Sequence, residues 1–522
     1  MEPQNFAKPF YLLLPQLTHH INFRLLKLSL IGTLLVGCAQ QIHHEKEFST
    51  AIPLNRNTTL ATYSRPYLVG TPNLSGFYPL GDGQEALLAR LALIQSAESS
   101  IDLQYYIYRD DHTSSLMTWA LYQAAERGVR VRILLDDMQA RDDNVLATLS
   151  SHPNIKLRLF NPFTQRTFRM LGFVGDFDRL NRRMHNKALV ADSAFAVTGG
   201  RNIGDEYFAA NDAVDFGDFD LLLIGSAVPD IARQFDLYWN SRPATPIEHL
   251  VDNIQPPTRV QLSQWQQSLE NRFKNSDYIN ALSDLPLAQE VKNQSLNFYL
   301  AEAEVIYDMP SKVYAKDTNA LLLHQISAVL QQAKSDFLLI SPYFVPTQNG
   351  TEALVEAARK GINVTIITNS LASNDVFAVH GWYAKYRKPL LKGGVKLYEV
   401  KVDSSLKKDR SWLGSSRTSL HAKTFIIDQH KIFVGSFNFD PRSAYINTEM
   451  GVFLDTPEFV EYIYQQMGIG LIKNTYRLEL NDDEIIWVDD HTGVRYTSEP
   501  YAGFWSRLGA WFSGLMPIES QL

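Results

Sequence analysis

The feature that most constrains this chain of 522 residues is a pattern that occurs twice. The first copy reads His185-Asn186-Lys187-Ala188-Leu189-Val190-Ala191-Asp192, then Gly199-Gly200-Arg201-Asn202. The second reads His421-Ala422-Lys423-Thr424-Phe425-Ile426-Ile427-Asp428, then Gly435-Ser436-Phe437-Asn438. Counted from each histidine, Lys falls at +2, Asp at +7, Gly at +14, Gly or Ser at +15 and Asn at +17. A match at all of these offsets means that one structural unit has been duplicated, so the fold must place two equivalent units in one molecule.

The sequence around each copy repeats as well. A helical stretch from Ala86 to Ala97 precedes a strand-like run from Ser100 to Tyr108, and Ala320 to Ala333 precedes Phe337 to Val345. Each continues with a helix closed by a glycine, Gly128 or Gly361, which opens a buried-type strand, Val129 to Leu135 or Ile362 to Thr368. Helices alternating with β-branched apolar strands predict an α/β sandwich with the sheet covered on both faces. Residues 246–300, with Pro256-Pro257 and many Gln, Ser and Asn, are expected to connect the halves and to be partly helical. Residues 38–76 read as a polar, proline-containing tether.

Composition narrows the function. Hydrophobic residues make up 45% and charged residues 20%, with a net charge of −7. That leaves ample apolar mass for a core and no basic excess for general nucleic-acid binding. One cysteine, Cys38, excludes an intrachain disulfide and a cysteine-based metal site. It follows Arg24, Lys27, the apolar run Leu28 to Val36, and Gly37, a stretch too short to span a bilayer. Leu35-Val36-Gly37-Cys38 resembles a bacterial lipobox, which makes residues 1–37 a signal peptide and Cys38 the lipidated N-terminus of an envelope protein. Ala39 favours sorting to the outer membrane, with the inner membrane as the alternative.

The chemistry follows from the spacing. Residues two apart on a strand share a face, so His185 with Lys187, and His421 with Lys423, are expected to point together. Asp192 and Asp428 sit at odd spacing in turn-like contexts and read as architectural, holding the hairpin turn. Ammonium and amide groups suit non-bridging phosphoryl oxygens, with Asn202 and Asn438 as the amides, while imidazole acts as base or nucleophile. Two such sets place two imidazoles about one phosphorus, one to attack and one to protonate the departing oxygen. Two lysines neutralise the anion, so no metal or other cofactor is called for.

This duplicated HxKxxxxD motif, followed by a small pair and Asn, resembles the phospholipase D superfamily over about residues 77–475. Thr368-Asn369-Ser370-Leu371-Ala372-Ser373-Asn374-Asp375, the segment His380 to Lys392 and Pro517-Ile518-Glu519-Ser520 are similar to bacterial cardiolipin synthases of the C type. The resemblance implies two pseudo-symmetric α/β/α halves, 77–245 and 301–475, sharing one active site at their interface, with a tail at 476–522. It implies a phosphatidyltransferase or phospholipase D acting on phosphatidylglycerol, and also on phosphatidylethanolamine, through a covalent phosphohistidine. His185 is then the nucleophile and His421 the acid, with the near-symmetry leaving the reverse open. Family members back each histidine with a carboxylate; Glu449, at +28 from His421, fits that part, and Asp220 aligns with it in the first half, with Asp218 as fallback. A phosphodiesterase acting on nucleic acid, or a non-catalytic lipid-anchored binding protein, are the alternatives.

Three weaker signals complete the reading. Asp136-Asp137 and Asp142-Asp143 read as solvated loop acids rather than metal ligands. Tyr105, Tyr106, Tyr108, Tyr343 and Phe344 suit either a lipid channel or a core. Phe504, Trp505, Leu508, Trp511, Phe512, Leu515 and Met516 recur at helical spacing, which suits either a membrane interface or packing on the enzyme itself.

Overall fold

The structure is a computed structural model that describes residues 45–139, 142–211, 215–252, 254–273, 277–314, 321–402 and 418–522. The lipobox and Cys38 lie outside the described residues. Residues 163–181 form a small unit of their own, with a turn at Arg169–Gly172 and a helix at Phe173–Leu180 that kinks at Gly175, φ 97°. Inside it the Phe163 and Phe173 rings pack 5.5 Å apart.

The rest of the described chain is one larger unit that holds both halves. The first half supplies β1 (Ser75–Leu80), β2 (Ser100–Tyr105), β3 (Arg130–Asp136), β4 (Ile155–Phe160), β5 (Ala188–Ala191), β6 (Phe195–Gly199), β7 (Asp215–Gly217), β8 (Asp220–Gly225) and β9 (Ala244–Pro246). The second supplies β10 (Tyr299–Tyr307), β11 (Asp336–Ile340), β12 (Asn363–Asn369), β13 (Lys396–Val400), β14 (Thr418–Leu420), β15 (Thr424–Ile427), β16 (Lys431–Gly435) and β17 (Met450–Asp455). Then come β18 (Thr475–Asn481), β19 (Glu484–Val488) and β20 (Arg495–Tyr496).

Pairing in the first half runs β9-β4-β3-β2-β5-β6-β8-β1, parallel only across β2-β3-β4. The second half repeats it as β18-β13-β12-β11-β15-β16-β17-β10, parallel only across β11-β12-β13. β1 also pairs antiparallel with β10, at Ser75↔Ala301, so the two sheets run into one. Strands β2 and β5 are buried along their whole length, as apolar runs between two helical layers must be.

Local sequence sets the helix ends. Asp82 caps the helix Gly83–Ser96, its Oδ1 accepting from the Gln84 and Glu85 amides at 2.7 and 3.1 Å. Asp111 and Ser114 form a capping box at the helix His112–Glu126. Gly128 and Gly361 take positive φ, 94° and 92°, and turn the chain from helix into β3 and β12. On one face a single core draws Val190 and Leu221 from the first half and Ile340 and Val452 from the second, covered by the helices Ala227–Asn240 and Pro457–Asn474.

The segments before, between and after the two halves each add to the packed structure. Residues 45–76 are packed against the first half: the Ser49 carbonyl accepts from Arg132 at 2.9 Å, the Ala51 amide donates to Asp236 at 2.8 Å, and Leu60 enters the core. Polar sequence here supplies backbone partners to buried arginines rather than a loose spacer. The connection carries the helices Arg259–Phe273, Asp277–Asp284 and Pro286–Lys292, and Leu287 and Leu296 join the first half's core. The tail extends the second sheet by β19 and β20 and ends in a helix at Phe504–Leu515.

Candidate active site

His185 and Lys187 lie on the extended stretch that enters β5, and His421 and Lys423 on the one that enters β15. Each lysine Nζ donates to the carbonyl of the histidine two residues before it, which fixes the shared face in both copies. All four side chains are buried. The charges of Lys187, Lys423 and His421 all act on His185, so the two copies of the motif make one site.

The halves are tied together by a crossed arrangement. The His185 amide donates to the Thr448 carbonyl at 2.9 Å, and His185 Nδ1 is hydrogen-bonded to Glu449 Oε2 at 2.8 Å. Reciprocally, the His421 amide donates to the Gly217 carbonyl at 2.7 Å, and His421 Nδ1 is hydrogen-bonded to Asp218 Oδ2 at 2.5 Å. Each imidazole is therefore held by a residue pair from the opposite half, leaving Nε2 as the nitrogen its carboxylate does not engage. β7 and β14 pair in parallel beside His421, with Leu420 opposite Gly217, and Met184 bridges Thr448 beside His185.

Asp220, expected to back a histidine, does not. It accepts from Arg90 at 2.8 Å and lies 3.4 Å from Arg201, an internal ion-pair cluster with no exposed surface at the carboxylate. The β register explains the error. Gly199 pairs with Asp220 and Gly435 with Gly451, so Asp220 is the counterpart of Gly451, and the counterpart of Glu449 is Asp218, two residues earlier. A match by apolar run places the acid two residues too late, and strand parity cannot reveal the slip.

The two carboxylates differ in surroundings. Glu449 Oε2 accepts from the Ser436 hydroxyl and Oε1 from the Ser443 hydroxyl at 2.8 Å. Burial pushes its carboxyl up to about 7, against the pull of Lys187 and the two serines. Asp218 also feels burial, but the facing His421 and the hydrogen bond to it hold its carboxyl well below the usual range. Its backbone neighbour is Gly200, where a Cβ would stand 2.1 Å from Asp218 Oδ1. Aspartate is one carbon shorter than glutamate, so its carboxylate lies against the backbone and only glycine fits.

The histidines and lysines are shifted too. Burial first, then Lys187 and Lys423, take His185 well below the ordinary histidine range. Burial and Lys423 lower His421, with Asp218 opposing. Lys187 is pushed down to about 7 by burial, and Lys423 is lowered for the same reason.

The asparagines behave unequally. Asn202 Oδ1 accepts from the Ile107 amide at 3.1 Å and its Nδ2 donates to the Tyr207 hydroxyl at 3.1 Å, leaving at most one N–H for a phosphoryl oxygen. It thereby fixes Tyr207, whose ring meets His421 edge-on at 5.3 Å. Asn438 Oδ1 is buried without a partner among the described residues.

Asp192 and Asp428 serve the architecture, though not their own hairpins. Asp192 accepts from the amides of Glu98, Ser99 and Ser100, and Asp428 from those of Lys334, Ser335 and Asp336, so each ties its hairpin to the loop entering β2 or β11. Asp136 and Asp137 are buried rather than solvated: Asp136 accepts from the Met184 amide at 2.8 Å and lies 3.3 Å from Arg183, bracing the approach to His185. Of the five aromatics, Tyr105, Tyr108 and Phe344 are core, Tyr106 meets His185 edge-on at 5.0 Å, and Tyr343 donates to Asp375.

A duplicated α/β half with a shared pair of histidine-lysine motifs defines a two-half phospholipase D-like protein. The family model described as "Cardiolipin synthase, PLD-like domain" matches residues 91–223 and 326–468, and the chain belongs to that family. It is 38% identical over 470 residues to cardiolipin synthase C of Escherichia coli K12, covering 88% of this chain and 99% of that one. The crystal structure of phosphatidylserine synthase from Haemophilus influenzae Rd KW20 has the same fold, with a TM-score of 0.54 at 13% identity over 80% of this chain and 92% of that one.

Proposed function

We propose that the protein is a phosphatidyltransferase that makes cardiolipin from glycerophospholipids, His185 being the nucleophile. The observation that carries the assignment is the inequality of the crossed pairs. Burial and the charges of Lys187 and Lys423 keep His185 a neutral imidazole whose lone pair can attack, and Glu449, its carboxyl pushed up to about 7, does not offset them. The ionised Asp218, 2.5 Å from His421, opposes the lowering by burial and Lys423, which makes His421 the better placed of the two imidazoles to carry the proton of a general acid.

In the first step His185 Nε2 bonds to phosphorus as the bond to the leaving alcohol breaks, and His421 gives its proton to the departing oxygen. In the second, His421 takes the proton of a phosphatidylglycerol hydroxyl, the oxygen bonds to phosphorus, and the phosphorus–nitrogen bond breaks to restore His185. Lys187 and Lys423 meet the non-bridging oxygens. Water in place of the acceptor gives phosphatidic acid, the outcome of a phospholipase D.

The setting proposed is the cell envelope, with Cys38 carrying a lipid anchor and a phospholipid membrane as the partner. Purified protein incubated with labelled phosphatidylglycerol and phosphatidylethanolamine is expected to yield cardiolipin and a released head group. Formation of neither cardiolipin nor phosphatidic acid contradicts the proposal. Fractionation of cells expressing the chain with and without Cys38→Ser tests the anchor, which predicts loss of the membrane-bound pool in the variant.

A further inference from the structure

The C-terminal helix, Phe504–Leu515, is attached the opposite way round from an ordinary amphipathic helix. Its buried residues are Ala510 and Gly514. They seat against Gly381 of the helix Phe377–Lys392, where an added Cβ would stand 2.1 Å from the Ala510 carbonyl. Glycine at 381 lets the two backbones close, so the helix is fastened by its small side.

The attachment is firm. Just before the helix, Glu499 pairs with Arg387 at 2.6 Å and His380 at 3.2 Å, and the Glu499 carbonyl accepts from Arg507 at 2.8 Å. After it, Tyr386 donates to Glu519, and Arg442 donates from its backbone amide to Leu522 and from Nε to the Gln521 carbonyl at 3.0 Å. Arg442 adjoins Ser443, whose hydroxyl holds Glu449 in the active site. The helix is thereby tied to the loop that positions the His185 partner.

The other side faces out. Phe504, Trp505, Leu508, Trp511, Phe512 and Leu515 are all exposed, Trp505 by 78% and Trp511 by 64%. At about 100° per residue these six fall within an arc of about 120°, opposite Ala510 and Gly514. Together they present on the order of 800 Å² of apolar surface. That exceeds the roughly 300–600 Å² of the largest patch on a typical monomer, and it matches the roughly 800 Å² each partner gives to a stable interface.

Charge decides between the occupants. The cations with exposed surface on the two helices are Lys385, Lys388, Lys392 and Arg507; Lys388 and Lys392 share Asp483 as partner, and neither helix holds an Asp or Glu, in a chain of net charge −7. A second copy docked by two-fold symmetry would bring this cationic surface against its own image. An anionic phospholipid surface complements it, and tryptophan is a residue suited to the depth of the head groups.

We infer that the outward face of the Phe504–Leu515 helix docks on an anionic phospholipid bilayer and holds the active site at that surface. This rests on the reading of the enzyme as one that takes phospholipids. Trp505 and Trp511 anchor the contact, and Ala510 and Gly514 keep the helix on the enzyme.

The test uses the full chain carrying Cys38→Ser and vesicles of phosphatidylglycerol and phosphatidylethanolamine. Brominated acyl chains are expected to quench tryptophan emission, and the Trp505→Phe/Trp511→Phe variant to lose most of that quenching. The Trp505→Ser/Trp511→Ser variant is expected to bind vesicles at least tenfold more weakly and to lose a similar factor of turnover on them. Its turnover of a water-soluble short-chain phosphatidylglycerol should be unchanged. Unaltered quenching and binding in the variants overturn the inference, as does a concentration-dependent dimer that the serine variant abolishes. Quenching needs no catalysis, so a chain that docks without turning over either lipid refutes the enzymatic reading alone.

Discussion

His185 of the first half and Glu449 of the second are hydrogen-bonded at 2.8 Å, and the mirror relation, His421 with Asp218, runs the other way across the same interface. Neither half supplies both a motif histidine and the acid bonded to it. This crossing gives the chain a reason to be duplicated and not merely repeated, because one half alone holds each imidazole by its backbone stretch without its acid.

Asp218→Asn is therefore expected to lower kcat by about 10²–10⁴-fold with KM little changed, since the general acid loses the charge that counters burial and Lys423 and that orients its ring. Asp220→Ala acts on stability instead, because it leaves Arg90 and Arg201 buried without their acid, a loss of about 3–5 kcal/mol. Steady-state kinetics and urea unfolding separate the two. A larger kinetic effect from Asp220 than from Asp218 would contradict the register argument.

Gly200→Ser should be far more damaging than Ser436→Gly, although the two positions are counterparts. The new Cβ meets Asp218 Oδ1, displacing the carboxylate from His421, whereas Ser436→Gly removes one of two hydroxyl donors to Glu449. The expected losses in kcat are about 10²-fold or more and about tenfold or less. Equal effects would mean that the two carboxylates are not differently seated.

Binding of an anion should weaken as pH rises through about 7. Below that value Lys187 is charged and Glu449 neutral; above it the lysine loses its proton and the glutamate gains a charge, and both changes disfavour an anion. Sulfate, which keeps its charge throughout, is a suitable competitive probe. Its inhibition constant should be flat below pH 6 and rise above pH 7 by up to about tenfold per pH unit for each group, with the lysine's share removed in Lys187→Met. A constant that falls with pH would contradict the placement of these groups.

Much of this was legible in the sequence because it is local. The offsets from His185 and His421, the glycines at 128 and 361 and the small pairs at 199–200 and 435–436 each express a nearby geometric demand, and the duplication repeats them. The crossing was not legible, since nothing within the stretch around His421 states that its acid comes from 203 residues earlier. Asp218 and Asp220 share strand parity, so only the pairing of Gly199 with Asp220 distinguishes them. Asn202 resembles Asn438 in offset, yet its amide serves Ile107 and Tyr207, contacts visible only in the fold. The helix Phe504–Leu515 showed its apolar period plainly, while the side that would turn inward depended on Gly381, more than a hundred residues away.

The central claim, that His185 attacks and His421 handles the proton, is tested most directly with a phosphatidyl ester of p-nitrophenol, a leaving group that needs no acid. In His421→Ala the attack still occurs but the acceptor is not activated, so a stoichiometric burst of p-nitrophenol is expected, with the phosphatidyl group bound covalently to the peptide containing His185. His185→Ala should give no burst. A burst in His185→Ala with the label on His421, and none in His421→Ala, would contradict the account.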